Sequence, residues 1–583
     1  MSLENPIRRF QLSGKEKLNS AIAAFSKKER IVFAVFSVAL LVSALAILQS
    51  INRSLMVRVP LEGGSISEGI VGTPRFINPV LASSPADLDM VALVYSGLMR
   101  KNGKEGPLTD LALKYEVSDD GLQYIFTLKD DIYFHNGEPV TADDVIFTID
   151  RVKNSVITSP QKINWEGVTV KKTDEKTLEF NLRQPNPNFL ENATLGIMPK
   201  ALWGNDSMEL NAANTAPIGS GPYMIDGVTK EGNGVITSYE LVAFERFALG
   251  KPYIKKINFN FYPNEEEMVK AFEDGAVSQI SSLSPSVAAA LKEKEYEVNS
   301  VVLPRVFGLF FNQNQNQLFL DKAVTRAIET AVDKDRIVRE VLRGYGIVID
   351  SPVPPNIAAD GGTTAGKKGT REEIVASVKE DLEKSGWKLG ENGIRQKTTT
   401  VNKKKTNASL EFSISTSNAP ELAATAERIR QDLMEVGMKV EVKTFETGNL
   451  NQNVIRPRQY DALLFGQIVN RESDLFAFWH SSQRKDPGQN VAMYTNAQAD
   501  KLLEEAFVTV SDETRAKKYA QLESEIKKDM PAVFLYSPDF IYITPGDLKG
   551  LKMDRIAAPS ERFASIHSWF TNTENVWKIF SKN

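Results

Sequence analysis

Residues 31–48 carry no charge and are interrupted only by Ser37 and Ser43. A helix of that length rises about 27 Å, close to the minimum for a hydrocarbon layer of roughly 30 Å. Arg30 and Arg53 bracket the run. Residues 1–30 hold seven Lys/Arg against three Glu, so the basic side precedes the apolar one. The positive-inside rule then puts the N-terminus in the cytoplasm and everything after residue 52 outside. A cleaved signal peptide is the competing reading, because Ala44-Leu45-Ala46 satisfies a small-x-small site. The run continues through Ile47 and Leu48, which favours a retained anchor. A buried core helix is a third reading that position and flanks oppose. The chain therefore divides into a cytoplasmic basic segment (1–30), a transmembrane signal anchor (31–51), a polar tether (52–62) and an exported body.

The body bears the acidity. The chain's net charge is −4, and the excess cations before residue 54 leave about −9 for the remainder. An acidic body lacks the basic face that a nucleic-acid partner requires. There is no cysteine, which removes disulfides, thiol nucleophiles, thiolate metal sites and lipid acylation at cysteine. The three histidines, His135, His480 and His567, show no metal-ligand spacing. No HExxH, Gly-rich phosphate loop or Gly-x-Ser-x-Gly occurs, so no metal, cofactor or enzymatic activity is expected. A Ser-His-Asp arrangement, and with it an exported hydrolase, stays open on spacing alone. Pairs such as Asp119-Asp120 and Asp143-Asp144 read as turns and helix caps.

Periodicity in the body alternates strand and helix, as layered α/β domains require. In residues 124–154, Tyr124, Phe126 and Leu128 alternate with polar neighbours, and 132–134 reads as a second short strand. His135-Asn136-Gly137-Glu138-Pro139 is turn chemistry. Thr141 is placed as a helix N-cap, with Asp143 and Asp144 in the first turn. The string FHNGEPVTADDVIFT resembles the signature of the family 5 extracellular solute-binding proteins, the receptors of ABC importers for peptides and nickel. Further motifs follow in order: GIVGTPRFINP at 69–79, IGSGPY at 218–223, DKAVTRAIETAVDKDRIVREVL at 321–342 and GWKLGENGIRQK at 386–397. The glycines of IGSGPY are expected to serve positive φ. Residues 357–370 read as a surface loop, 397–407 as a Lys/Thr-rich segment, and 531–536 and 540–543 as two returning strands.

The resemblance, which covers residues 63–545, implies a Venus-flytrap fold of the large cluster C type. Two α/β lobes, 63–302 plus 535–583 and 303–534, enclose a ligand, with an extra subdomain in lobe 1. It implies a receptor that delivers peptides to membrane permease subunits, adding an extended ligand as a strand to the cleft edges. The family also serves nickel chelates, haem and oligosaccharides, and a signalling or chaperone-like protein could keep the fold. Peptide binders carry "gW..Dy.dP" where this chain has Gly466, Gln467 and Ile468, then Asn470 for the amine-binding Asp, and Asp474-Leu475. Asn470 is neutral, so Asp474 either replaces that charge or caps the helix that follows. The same matching implies that Ser83, Ser84 and Pro85 line the first-lobe wall of the cleft, and Tyr536 the returning crossover.

Overall fold

The computed structural model describes residues 22–204, 207–354, 369–401 and 404–580. Most of the basic segment 1–30 and of the expected loop 357–370 lies outside them. The chain forms two units, one of residues 1–61 with 571–583 and the other Glu62–Phe570.

In the first unit the apolar run sits in a helix, Lys27–Leu55, none of whose residues is buried. Ser26 and Glu29 close a capping box at its start. The helix passes directly into a strand, Met56–Leu61, which pairs antiparallel with Asn572–Trp577. Residues 52–62 are therefore not a simple tether, and 571–583 group with this helix rather than with Glu62–Phe570. The sequence conceals this because Asn572–Trp577, NTENVW, has little β-forming character of its own and is held by its partner's ladder.

The second unit is built on a strand, Ala532–Ile543, that serves two lobes. Its first half pairs with Arg305–Phe311 and its second half with Val298–Val302. The 531–536 and 540–543 strands are thus one. The break falls on the partner instead, at Leu303-Pro304, where the Leu303 amide donates to the Pro538 carbonyl at 2.9 Å. Proline fixes φ and removes a ladder donor on both chains at this crossing. Beyond it, Gln279–Ser281, Ser65–Val71, Lys256–Tyr262, Ile236–Ala243 and Tyr223–Lys230 extend the sheet into the first lobe. On the other side Ala462–Ile468, Glu411–Ser417 and Lys439–Phe445 extend it into the second lobe. A separate four-stranded antiparallel sheet spans Ala112–Val117, Gln123–Leu128, Thr177–Leu182 and Val168–Lys172, the additional subdomain of the first lobe. Tyr124, Phe126 and Leu128 point inward as the alternation predicts.

The FHNGEPVTADDVIFT motif has a structural purpose. Gly137 takes φ +86°, and residues 132–134 make only an isolated bridge, between Tyr133 and Pro139, not a strand. Thr141 stands at the N-cap position of helix Ala142–Lys153, where its backbone amide and hydroxyl both donate to one Asp144 oxygen, at 2.9 and 2.6 Å. The other Asp144 oxygen accepts from the Lys200 amide at 2.9 Å, tying the helix to a distant loop. His135 staples this motif to IGSGPY. Its Nδ1 accepts from the Gly219 amide at 3.3 Å, so Nε2 carries the proton and donates to the Gly221 carbonyl at 3.1 Å. Gly219 and Gly221 do not adopt positive φ. They are glycines because a Cβ at either would overlap the backbone of Leu93–Tyr95.

The first lobe's core closes over a buried charge cluster. Arg562, from the 3-10 segment Pro559–Ser568, makes a bidentate pair with Asp89 at 2.8 and 2.7 Å and reaches Glu68 at 2.5 Å. Tyr542 and Gln279 also donate to Glu68, at 3.0 and 2.9 Å. Burial works against the guanidinium's charge, but Asp89 and Glu68 outweigh it and hold its pKa above the ordinary value. Burial also raises the pKa of Asp89 in spite of Arg562.

Two predictions follow from these contacts. Replacing Arg562 with Met leaves two carboxylates buried without a cation, which costs about 3–5 kcal/mol. Denaturant unfolding of the detergent-solubilised chain should show that loss, and a change below about 1 kcal/mol would contradict it. His135 is held at a pKa of about 4, mainly by burial, against an ordinary value of 6.5. As pH falls from 6.5 to 4 the unfolded chain takes up a proton that the folded site refuses, so stability falls through that window by at most roughly 3 kcal/mol. His135→Asn should flatten part of this dependence, and an unaltered pH profile of unfolding would contradict the assignment.

Candidate functional site

The strand Ala462–Ile468 and the turn that follows bring five of the expected residues together. Gly466 lies against the Phe307 ring, where a Cβ would sit 2.7 Å from the ring carbons. Phe307 in turn stacks on Tyr536, with centroids 5.0 Å apart and planes 15° from parallel. Glycine at 466 thus lets that stack lie flat against the strand. Tyr536 is 2% exposed and belongs to the second lobe's core. The aromatic stack accounts for it without a place on the cleft wall.

Gln467 stands where the peptide-binding pattern has Trp. It is 2% exposed, and neither its amide oxygen nor its amide nitrogen has a hydrogen-bond partner among the described residues. An unpaired buried amide costs about 1–3 kcal/mol, so the position calls for a ligand or a water. The Trp479 indole N–H and the Ser537 hydroxyl, in the same lobe, are buried and equally unpartnered among those residues. Ile468 is half exposed, at 51%.

The turn after this strand is organised by Asp474. Its Oδ2 accepts from the backbone amides of Asn470 and Arg471 at 2.9 and 3.2 Å, and its Oδ1 from the Arg471 guanidinium at 3.4 Å. Asp474 stands at the N-cap position of the short helix Leu475–Trp479 but makes no side-chain bond into it. Its backbone is αR rather than extended, so the carboxylate turns back toward residues 470 and 471 instead of forward. Burial raises its pKa, with Arg471 opposing. Asn470 is exposed.

Arg471, which the sequence analysis passes over, spans the two lobes. Its two terminal nitrogens donate to the Asn192 and Asn164 side-chain oxygens, at 3.0 and 2.7 Å. Asn192 donates in turn to the Asn164 backbone carbonyl at 2.7 Å and the Asn164 side-chain amide to Gln161 at 3.0 Å, which orients the two acceptors. A second bridge runs from the Asn188 amide to the Ser473 hydroxyl at 3.2 Å. Asn188 and Asn192 come from the PNPNF break and the single helical turn, Phe189–Asn192, that follows it. Beside these bridges lies an open groove of about 620 Å³, lined from one side by Asn188 and Glu191 and from the other by Asn470, Arg471, Asp512 and Arg515. The available signal for Arg471 was its place in the turn. A planar fork of donors suits two amide oxygens at once.

Ser83, Ser84 and Pro85 belong to the start of helix Pro85–Val94. Ser84 is its N-cap, the hydroxyl accepting from the Asp87 amide at 3.1 Å, while Ser83 and Pro85 are exposed. Capping explains Ser84 without a ligand.

Comparison with known proteins agrees with this architecture. Residues 106–490 match the profile of the bacterial extracellular solute-binding proteins, family 5, middle portion. The chain is 28% identical over 524 residues to the oligopeptide-binding protein AppA of Bacillus subtilis, covering 88% of this chain and 92% of that protein. The solved structure of AppA from Bacillus subtilis with a nonapeptide superposes with a TM-score of 0.65 at 26% identity, covering 88% of this chain and 99% of that one. NikZ from Campylobacter jejuni, in complex with Ni(L-His), gives a TM-score of 0.69 at 25% identity over 87% of this chain and 99% of its own. Strand order, motif geometry and profile agree, and the chain belongs to the family 5 bacterial extracellular solute-binding proteins.

Proposed function

We propose that this protein is the extracytoplasmic receptor of an ABC importer, held at the membrane by a retained helix over residues 31–51. It captures peptides between its lobes and presents them to permease subunits. The observation that carries this reading is the bridging of the lobes by Arg471 beside an open groove lined from both sides. Contacts made only when the lobes meet favour the closed form, and a ligand that adds to them shifts the equilibrium further. We place the lobes at 63–302 plus 539–570 and at 303–538, dividing where Leu303-Pro304 crosses Pro538. Relatives named for oligopeptides and a nonapeptide complex support a peptide ligand. The three histidines of the chain give little for direct nickel ligation.

The cleft differs from the peptide-binding pattern at its charge anchor. Asp474 is neutralised by Arg471 and bonded to two amides of its own turn, so a ligand ammonium finds no free carboxylate there. Affinity then rests on main-chain pairing to the cleft edges and on polar groups such as the unpartnered Gln467 amide. Calorimetry of the solubilised chain against a peptide mixture, free or N-acetylated, tests this. The two forms should bind within about twofold of each other, and Arg471→Ala should weaken both about tenfold or more, the scale of a charged hydrogen bond. A tenfold loss on acetylation that Asp474→Asn abolishes would place the ligand's amine on Asp474 instead. Binding of a neutral sugar or a metal chelate with no peptide binding would overturn the peptide assignment.

A further inference from the structure

The anchor helix does not end in open chain. Its apolar run stops at Leu48, and Asn52 lies about 6 Å further along the axis. That distance is within the headgroup layer, which adds roughly 5–8 Å to each face of the hydrocarbon. The Asn52 side chain accepts a hydrogen bond from the Trp577 indole at 2.8 Å. The register of the two-stranded ribbon pairs Trp577 with Met56, the residue directly after the helix, and Asn572 with Leu61 at the far end. Met56–Leu61 thus leads away from the helix, and Asn572–Trp577 returns toward it. At the returning end Ile51, Leu55, Trp577 and Ile579 are 50%, 50%, 45% and 77% exposed, with Arg53 in the helix's last turn. An amphipathic indole fixed at headgroup depth, with aliphatic side chains and a cation around it, is the composition of an interfacial anchor.

We propose that the C-terminal strand brings the chain back to the bilayer, where Trp577 and Ile579 seat in the lipid headgroup layer of the outer face. The protein then holds the membrane at two points, the helix and its own C-terminus, and the ribbon fixes where the chain leaves the surface. This inference rests on the retained-anchor reading, and its test separates the two. Because the chain has no cysteine, single cysteines at Leu45, Glu574 and Ile579 can each carry an environment-sensitive fluorophore in the full-length chain. The labelled proteins go into phosphatidylcholine vesicles bearing nitroxides on the headgroup or deep in the acyl chain. Headgroup nitroxide should quench the Ile579 probe at least threefold more than the Glu574 probe, which lies three residues, about 10 Å, up the strand from Trp577. Acyl-chain nitroxide should quench the Leu45 probe. Trp577→Ala should at least halve the quenching at Ile579. Equal quenching at Ile579 and Glu574, with Leu45 quenched, overturns the interfacial C-terminus and leaves the anchor intact. That result would hand Trp577 to a protein partner. An unquenched Leu45 probe overturns both.

Discussion

Arg562 holds the first lobe together. Its guanidinium joins the strand Ser65–Val71 through Glu68 and the helix Pro85–Val94 through Asp89, and through Glu68 it also meets Gln279 and Tyr542. The partners come from opposite ends of the chain, and the Arg562–Glu68 pair spans 494 positions. Closing a loop that long costs entropy that only a well-satisfied contact can offset. Such a cluster is not a large net source of stability, since an apolar replacement of the whole set can do as well. Its effect is on specificity: a half-formed cluster leaves charge buried, so the C-terminal segment has one acceptable docking position. Tyr542 lies on the strand that serves both lobes, so the cluster also sets where that strand enters the first lobe.

From that fixed strand the rest of the mechanism follows. Among the described residues two stretches of chain cross between the lobes beside each other, and both carry proline at the crossing. Few ladder bonds resist bending there, while each lobe keeps its own core. Among the described residues the lobes are joined by polar bridges of Arg471 with two asparagines and of Asn188 with Ser473. Polar bridges of this kind are worth a few kcal/mol in total, enough to bias a closure without locking it. A receptor that must release its cargo needs a bias of that size.

Much of this was legible in the sequence. The apolar run, the inward alternation of Tyr124, Phe126 and Leu128, and the Thr141 cap are local patterns, and local physics fixes them. The family resemblance supplied the two-lobe arrangement that periodicity alone does not give. What escaped was long-range. NTENVW carries no strong strand signal, so its pairing with Met56–Leu61 shows only once the ends meet. Gly219 and Gly221 looked like turn glycines, but they are small because a backbone from 125 positions earlier passes against them. The Asp474 helix cap failed because a cap needs extended backbone, and the turn imposed αR. Arg471 was unremarkable by composition and matters because Asn164 and Asn192 face it from the other lobe.

The cleft takes peptides. Native mass spectrometry of the full-length chain, solubilised gently from its own membranes, tests it most directly. A bound species released on unfolding should fragment as peptide, in a distribution of sequences that share a length range, as expected when main-chain pairing rather than side-chain recognition selects the ligand. A single non-peptide solute, such as a sugar or a metal chelate, bound at one copy per chain would contradict it.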